Sequence, residues 1–186
     1  MRILFLHGLA SSGAYKLADM LRILLRAEVI APDLPIDPDE ALQLLRGLYG
    51  TERPDLVAGL SWVGFLALRL EAERTVVINP DLYVSRLLRQ HIGRMDYLSP
   101  RADGESSFLI TEELCRRYEV LEEEGLPSDL PVLGCFAAGD RLVHCSDEFE
   151  ALFPGRVFRY PGGHLPTYPE VKQHLAPAIR RFLESG

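Results

Sequence analysis

Val57-Ala58-Gly59-Leu60-Ser61-Trp62-Val63-Gly64 is the stretch on which the reading of this chain turns. A short apolar run enters a glycine, a serine follows two residues later, and an apolar run of helical character leaves. The pattern is close to G-x-S-x-G, a sharp strand-to-helix turn that lifts a serine hydroxyl above a sheet. The last motif position is Val63, and the glycine comes one residue late, at Gly64. If Ser61 is a nucleophile, the chain is an enzyme. If it is an ordinary helix N-cap, its hydroxyl serves only the amides of the next helix.

Short β-like runs alternate with amphipathic ones on both sides of this stretch. Strands are expected at Arg2–Leu6, Glu28–Ala31, Leu56–Gly59, Thr75–Asn79, Val132–Ala137 and Val157–Tyr160. They are short, apolar and often rich in Val and Ile, as strands buried on both faces are. Helices are expected at Ala14–Arg26, Pro38–Tyr49, Trp62–Ala72, Ser146–Leu152 and Glu170–Glu184. The first gathers Tyr15, Leu17, Ala18, Leu21, Leu24 and Leu25 on one face, and Pro177 predicts a kink or break in the last. Such alternation implies a single α/β domain: a mainly parallel six-stranded sheet, helices on both faces, and right-handed crossovers. Residues 81–130 break the pattern. Asp103–Ser107 reads as a loop and Thr111–Glu124 as a helix, in an insertion too long for a simple crossover. It is either a longer connection packed on the sheet or a small helical cap over the site.

Composition narrows the function classes. A chain of 186 residues, 47% hydrophobic and 25% charged, can bury a full core without disulfides or metals. The net charge of -7 disfavours nucleic acid as the main partner, because phosphate binding needs a basic surface. Cys115, Cys135 and Cys145 show no C-x-x-C spacing and no histidines at zinc-ligand intervals, so no metal is expected, and three cysteines fit reduced thiols in a cytoplasm. Only Ile3–Leu6 separates Met1-Arg2 from His7-Gly8, short of the roughly 7–15 apolar residues of a secretory segment. No run approaches the ~20 apolar residues of a membrane helix. A cytoplasmic protein without membrane association is expected; the sequence leaves the oligomeric state open.

A serine hydroxyl needs a base to take its proton, an acid to orient that base, and amide donors for the oxyanion. Each has a candidate just after an expected strand. His164 follows the sixth, in Tyr160-Pro161-Gly162-Gly163-His164, where two glycines permit a tight loop. His7 reads as a side chain fixing its own loop, His91 and His174 fall on expected helices, and His144 has the wrong chain position. Asp140 follows the fifth strand in Ala138-Gly139-Asp140. Asp81, in Asn79-Pro80-Asp81, is its rival and is disfavoured because the Gly-Asp loop is short and faces the expected site. Leu6-His7-Gly8-Leu9 leaves the first strand, so the backbone N–H groups of Leu9 and Trp62 are the candidate oxyanion donors. The first loop lacks G-x-x-x-x-G-K-[ST] and G-x-G-x-x-G, so a nucleotide site is a poor competitor. If the first and third strands are neighbours, ligands would bind between Leu9 and Ser61, where strand order reverses.

The pieces together resemble the YqiA-like esterases, small bacterial α/β-hydrolases. The shared anchors are the opening strand with L-H-G and serines after it, the serine elbow, V-V-I-N-P after the fourth strand, a G-D loop and a G-G-H loop. They run in the same order from Leu6 to His164; residues 81–130 match poorly. The resemblance implies the α/β-hydrolase fold and ester cleavage without a cofactor, with Ser61, Asp140 and His164 as nucleophile, acid and base. The family has Gly-Gly where this chain has Val63-Gly64. The expected function is hydrolysis of a small-molecule carboxylic ester or thioester through an acyl-enzyme. The competing reading is a non-catalytic protein of the same fold that binds a ligand or partner, with Val63 as its main support.

Overall fold

Alternate side chains of the first strand enter two different cores, Leu4 and Leu6 on one side, Ile3 and Phe5 on the other. The computed structural model describes residues 1–185. Its strands, in chain order, are β1 (Arg2–Leu6), β2 (Glu28–Ile30), β3 (Leu56–Leu60), β4 (Thr75–Ile78), β5 (Gly93–Asp96), β6 (Ser107–Ile110), β7 (Val132–Ala137) and β8 (Val157–Tyr160). Six form one sheet in the order β2-β1-β3-β4-β7-β8, with every neighbouring pair parallel. The expected six strands are therefore the six of the sheet, each within one residue at its ends. Strand order reverses between β1 and β3, which places the crevice between Leu9 and Ser61.

The helices are α1 (Lys16–Leu25), α2 (Pro38–Glu52), α3 (Trp62–Arg69), α4 (Val84–Arg89), α5 (Glu112–Glu123), α6 (Ser146–Leu152), α7 (Tyr168–Glu170) and α8 (Ala176–Glu184). On one face, Leu17 and Leu21 of α1 pack with Ile179 of α8. On the other, Leu42 and Leu45 of α2 and Leu66 of α3 pack with Tyr118 of α5. Each fully buried leucine is worth about 1.5–3 kcal/mol relative to exposure. Asp37 starts α2 by accepting hydrogen bonds from the N–H groups of Asp39 (3.0 Å) and Glu40 (3.3 Å), with Pro38 in the first turn where its missing N–H costs nothing.

Two expectations change. Residues 81–130 are not purely helical: β5 and β6 pair antiparallel outside the main sheet, and Ser107, expected in a loop, opens β6. Each strand is four residues long and has exposed positions, so neither carries a strong apolar signal of its own. Pro177 does not break the last helix. A π-helical segment, Val171–Leu175, widens the coil just before it, and α8 continues beyond. The wider turn relieves the clash a proline ring makes with the preceding turn.

Candidate active site

Ser61 leaves β3 directly and opens α3 with φ 57° and ψ -128°. A non-glycine residue held in a sparsely populated region of this kind costs about 1–3 kcal/mol. Backbone bonds fasten it: Ser61 N–H donates to Ile78 O (2.9 Å), and Ser61 O accepts from Gly64 N–H (2.8 Å) and Asp81 N–H (3.3 Å). The hydroxyl caps no amide of α3, so the N-cap reading fails. It lies instead 2.8 Å from His164 Nε2.

Two glycines permit the turn. A Cβ on Gly59 would sit 2.9 Å from both Gly64 Cα and Ala67 Cβ, and one on Gly64 would sit 2.9 Å from Pro80 Cβ. Gly64 therefore provides the close approach expected of the missing motif glycine. Val63 is wholly buried among apolar neighbours of the core on the α3 side.

The loop after β8 carries His164, and its Nδ1–H donates to Asp140 Oδ2 at 2.8 Å. That bond leaves Nε2 with its lone pair toward the Ser61 hydroxyl. Asp140, in the loop after β7, is itself held: Oδ1 accepts from Leu142 N–H (2.8 Å) and Val143 N–H (3.2 Å). The loops carrying Asp140 and His164 pack backbone to backbone. Gly139 N–H donates to Gly162 O at 2.8 Å, and a Cβ on Gly139 would lie 2.6 Å from that oxygen.

Asp81 lines the same cavity, but its Oδ1 accepts from Tyr83 N–H at 2.8 Å, and no hydrogen bond to His164 is found among the described residues. Burial holds its carboxyl above the usual range, against the opposing pull of the Tyr83 N–H, His164 and Arg86. Of the two candidate acids, only Asp140 is bonded to the imidazole.

The loop after β1 presents the first candidate oxyanion donor. Gly8 O accepts from His7 Nδ1–H (3.0 Å) and Ser11 N–H (3.2 Å). Because a trans peptide sets its N–H opposite its carbonyl, these bonds fix the direction of Leu9 N–H. His7 Nε2 accepts from Leu34 N–H at 3.3 Å, and burial lowers the pKa of the ring, which stays neutral as a fixture of the loop. Trp62 is the first residue of α3, so its N–H lacks an intrahelical acceptor. Among the described residues, neither Leu9 N–H nor Trp62 N–H donates a hydrogen bond.

By sequence, no family model and no curated protein matches the chain. Solved structures do. A metagenome-derived lipolytic enzyme is 17% identical over 100% of this chain and 94% of its own, with a TM-score of 0.69. DcsB, solved with its substrate analogue, is 12% identical over 99% of this chain and 89% of its own, at 0.67. A putative hydrolase of the alpha/beta superfamily from Xanthomonas campestris pv. campestris is 16% identical over 99% of this chain and 95% of its own, at 0.55. At these identities the likeness carries the fold. The chain has the α/β-hydrolase fold.

Within the α/β-hydrolase framework, Ser61, Asp140 and His164 follow three different strands in the chain order Ser…Asp…His. Above them lies a cavity of about 700 Å³ containing Ser61, His164, Gly8 and Leu9. Tyr83, Arg86, Leu87 and Leu98, from residues 81–130, form one of its walls. Leu98 N–H donates to Ala10 O (2.7 Å), and Ser12 Oγ donates to Ser99 Oγ (3.0 Å), so this segment is tied to the loop that carries Leu9. His91, expected on a helix, lies just past α4 and lines the cavity, as do His144 and Arg141. No local pattern marks these wall residues, which come together only through the crossing of distant loops. Among the described residues, no group of His, Cys, Asp and Glu side chains converges as a metal ligand set, and no helix is long and apolar enough to cross a membrane.

Proposed function

We propose that this protein is a serine hydrolase that cleaves a carboxylic ester or thioester through an acyl-enzyme. Ser61 Oγ bonds to the carbonyl carbon as its proton passes to His164 Nε2. Leu9 and Trp62 N–H groups hold the tetrahedral oxyanion, each worth about 3–4 kcal/mol. Asp140 keeps His164 in the useful tautomer and stabilises the imidazolium. Collapse breaks the bond to the alcohol or thiol, which leaves with the proton from His164. Water then attacks the acyl-enzyme, its proton passes through His164 back to Ser61, and the carboxylic acid departs. The scheme uses no metal or cofactor.

The observation that carries this reading is the relay itself: 2.8 Å from Ser61 Oγ to His164 Nε2 and 2.8 Å from Nδ1 to Asp140, built on a strained serine. Strain held in place at a buried polar group is a mark of function. The non-catalytic alternative leaned on Val63, whose side chain the core accommodates. The mouth of the cavity favours a small substrate with an apolar chain, since Leu98, Leu142 and Leu165 there are 86%, 72% and 55% exposed. A pyrethroid hydrolase and an esterase from a marine microorganism among the structural neighbours lend the ester reading further support. The anchor order keeps a YqiA-like esterase in a cytoplasm as the finer proposal, with residues 81–130 as its cap.

A fluorophosphonate probe tests it. Labelling of the folded protein, lost in Ser61→Ala together with hydrolysis of p-nitrophenyl esters, is the expected result; labelling unchanged in Ser61→Ala overturns the proposal. A series of acyl-chain lengths run on the parent protein then ranks substrates.

A further inference from the structure

The fourth strand ends in Ile78-Asn79-Pro80, and the scheme above gives Asn79 no task. The residue is 1% exposed. Its Oδ1 accepts from Ala137 N–H (2.7 Å), at the end of the strand that leads to Asp140. Its Nδ2 donates to His164 O (2.8 Å), Gly163 O (3.3 Å) and Tyr160 Oη (3.2 Å). Its backbone N–H donates to Cys135 O at 2.8 Å. One buried amide therefore joins the strand bearing the acid to the loop bearing the base, and it binds the carbonyl of the base residue itself. The backbone there is strained: φ is 46°, in the position preceding a proline. Asparagine is among the few residues other than glycine that tolerate positive φ. An apolar side chain would fill this space without directed bonds; the amide sets the distance between two loops.

We propose that Asn79 is a positioning residue, whose amide fixes the His164 loop against β7 so that the imidazole meets Ser61 and Asp140 together. The proposal rests on the serine-hydrolase reading of the site. A base displaced by about 1 Å in such a relay costs about 10²-fold in rate.

Asn79→Asp and Asn79→Gly test it beside Ser61→Ala. Aspartate keeps the shape, the positive φ and the acceptor for Ala137 N–H, but as a carboxylate it has no donor for the two carbonyls. Glycine adopts the positive φ without strain and deletes the amide. Each variant is assayed for kcat and KM on a p-nitrophenyl ester, for rate of fluorophosphonate labelling, and for melting temperature. In the folded variants kcat falls about 10²-fold and labelling slows in parallel, while KM stays within about threefold. In Asn79→Asp the new carboxylate favours protonated His164, so the acid limb of the kcat/KM profile moves to higher pH. A purely structural residue lowers the melting temperature and leaves kcat and the labelling rate unmoved. A folded variant with kcat within about threefold of the parent overturns the assignment, and so does failure of both variants to fold. Ser61→Ala with parental activity defeats the serine-hydrolase reading instead, whatever Asn79 does.

Discussion

Replacing Asp140 by asparagine keeps the shape of the acid and reverses the proton on the base. Asp140 Oδ1 accepts two backbone N–H groups, at 2.8 and 3.2 Å, and Oδ2 accepts from His164 Nδ1 at 2.8 Å. In the Asp140→Asn variant the amide oxygen must stay on the Leu142 and Val143 amides. The opposite orientation sets donors against donors, and leaving buried polar groups unsatisfied costs about 1–3 kcal/mol. The amide NH₂ therefore faces Nδ1, which can meet it only as an acceptor. The ring proton moves to Nε2 and points at Ser61 Oγ, so the base cannot take the serine proton. The wrong tautomer in a relay of this kind lowers kcat about 10⁴-fold, which at 1.36 kcal/mol per tenfold is about 5.4 kcal/mol. Steady-state kcat on a p-nitrophenyl ester measures the loss, pre-steady-state acylation localises it, and a melting curve shows that the variant is folded. A folded Asp140→Asn protein that loses less than about tenfold refutes the tautomer argument. A larger loss in Asp81→Asn than in Asp140→Asn moves the acid role to Asp81.

Relief of backbone strain gives a second outcome: Ser61→Gly abolishes turnover but raises stability by about 1 kcal/mol, a gain of about 2–4 °C in Tm for a chain of this size. An unchanged or lower Tm argues that the positive φ carries no strain. The raised pKa of Asp81 supplies a third. The folded chain holds this proton more tightly than the unfolded chain, so stability falls as pH rises through the folded pKa. Asp81→Asn removes that cost, so its Tm exceeds the parent's near neutral pH, and the difference shrinks as pH falls through the raised folded pKa and is gone below the ordinary carboxylate range, about 4. A Tm difference independent of pH counts against the buried-carboxyl account.

The sheet was legible because its strands are apolar runs of three to six residues closed by glycine, proline or asparagine, too short for buried helices and often rich in Val and Ile. Ser61, Asp140 and His164 were legible as a set: each follows a strand, and a parallel sheet brings all such positions to one edge. The hairpin of residues 93–110 was not. Its four-residue strands expose Arg94, Asp96 and Leu109, and they pair antiparallel with each other outside the main sheet. The π-helical segment was equally hidden, since Pro177 announces a disturbance without saying that the coil will widen before it. Asn79 stood in view in Val76-Val77-Ile78-Asn79-Pro80, yet its partners lie at Ala137 and His164, and no local spacing joins them.

Consecutive residues on a helix point about 100° apart, and that rotation gives Val63 and Gly64 their different neighbours. The first turns into the core of α3; the second turns toward Pro80 and the end of β4. The second glycine of this elbow is thus addressed to Pro80 and not to the serine it follows. Written as a string, the requirement looks violated; written as a distance between two backbones, it is met one step further along. The same contact means that any side chain placed at residue 64 presses on Pro80, so a change on the helix that Ser61 opens is felt first at the end of β4.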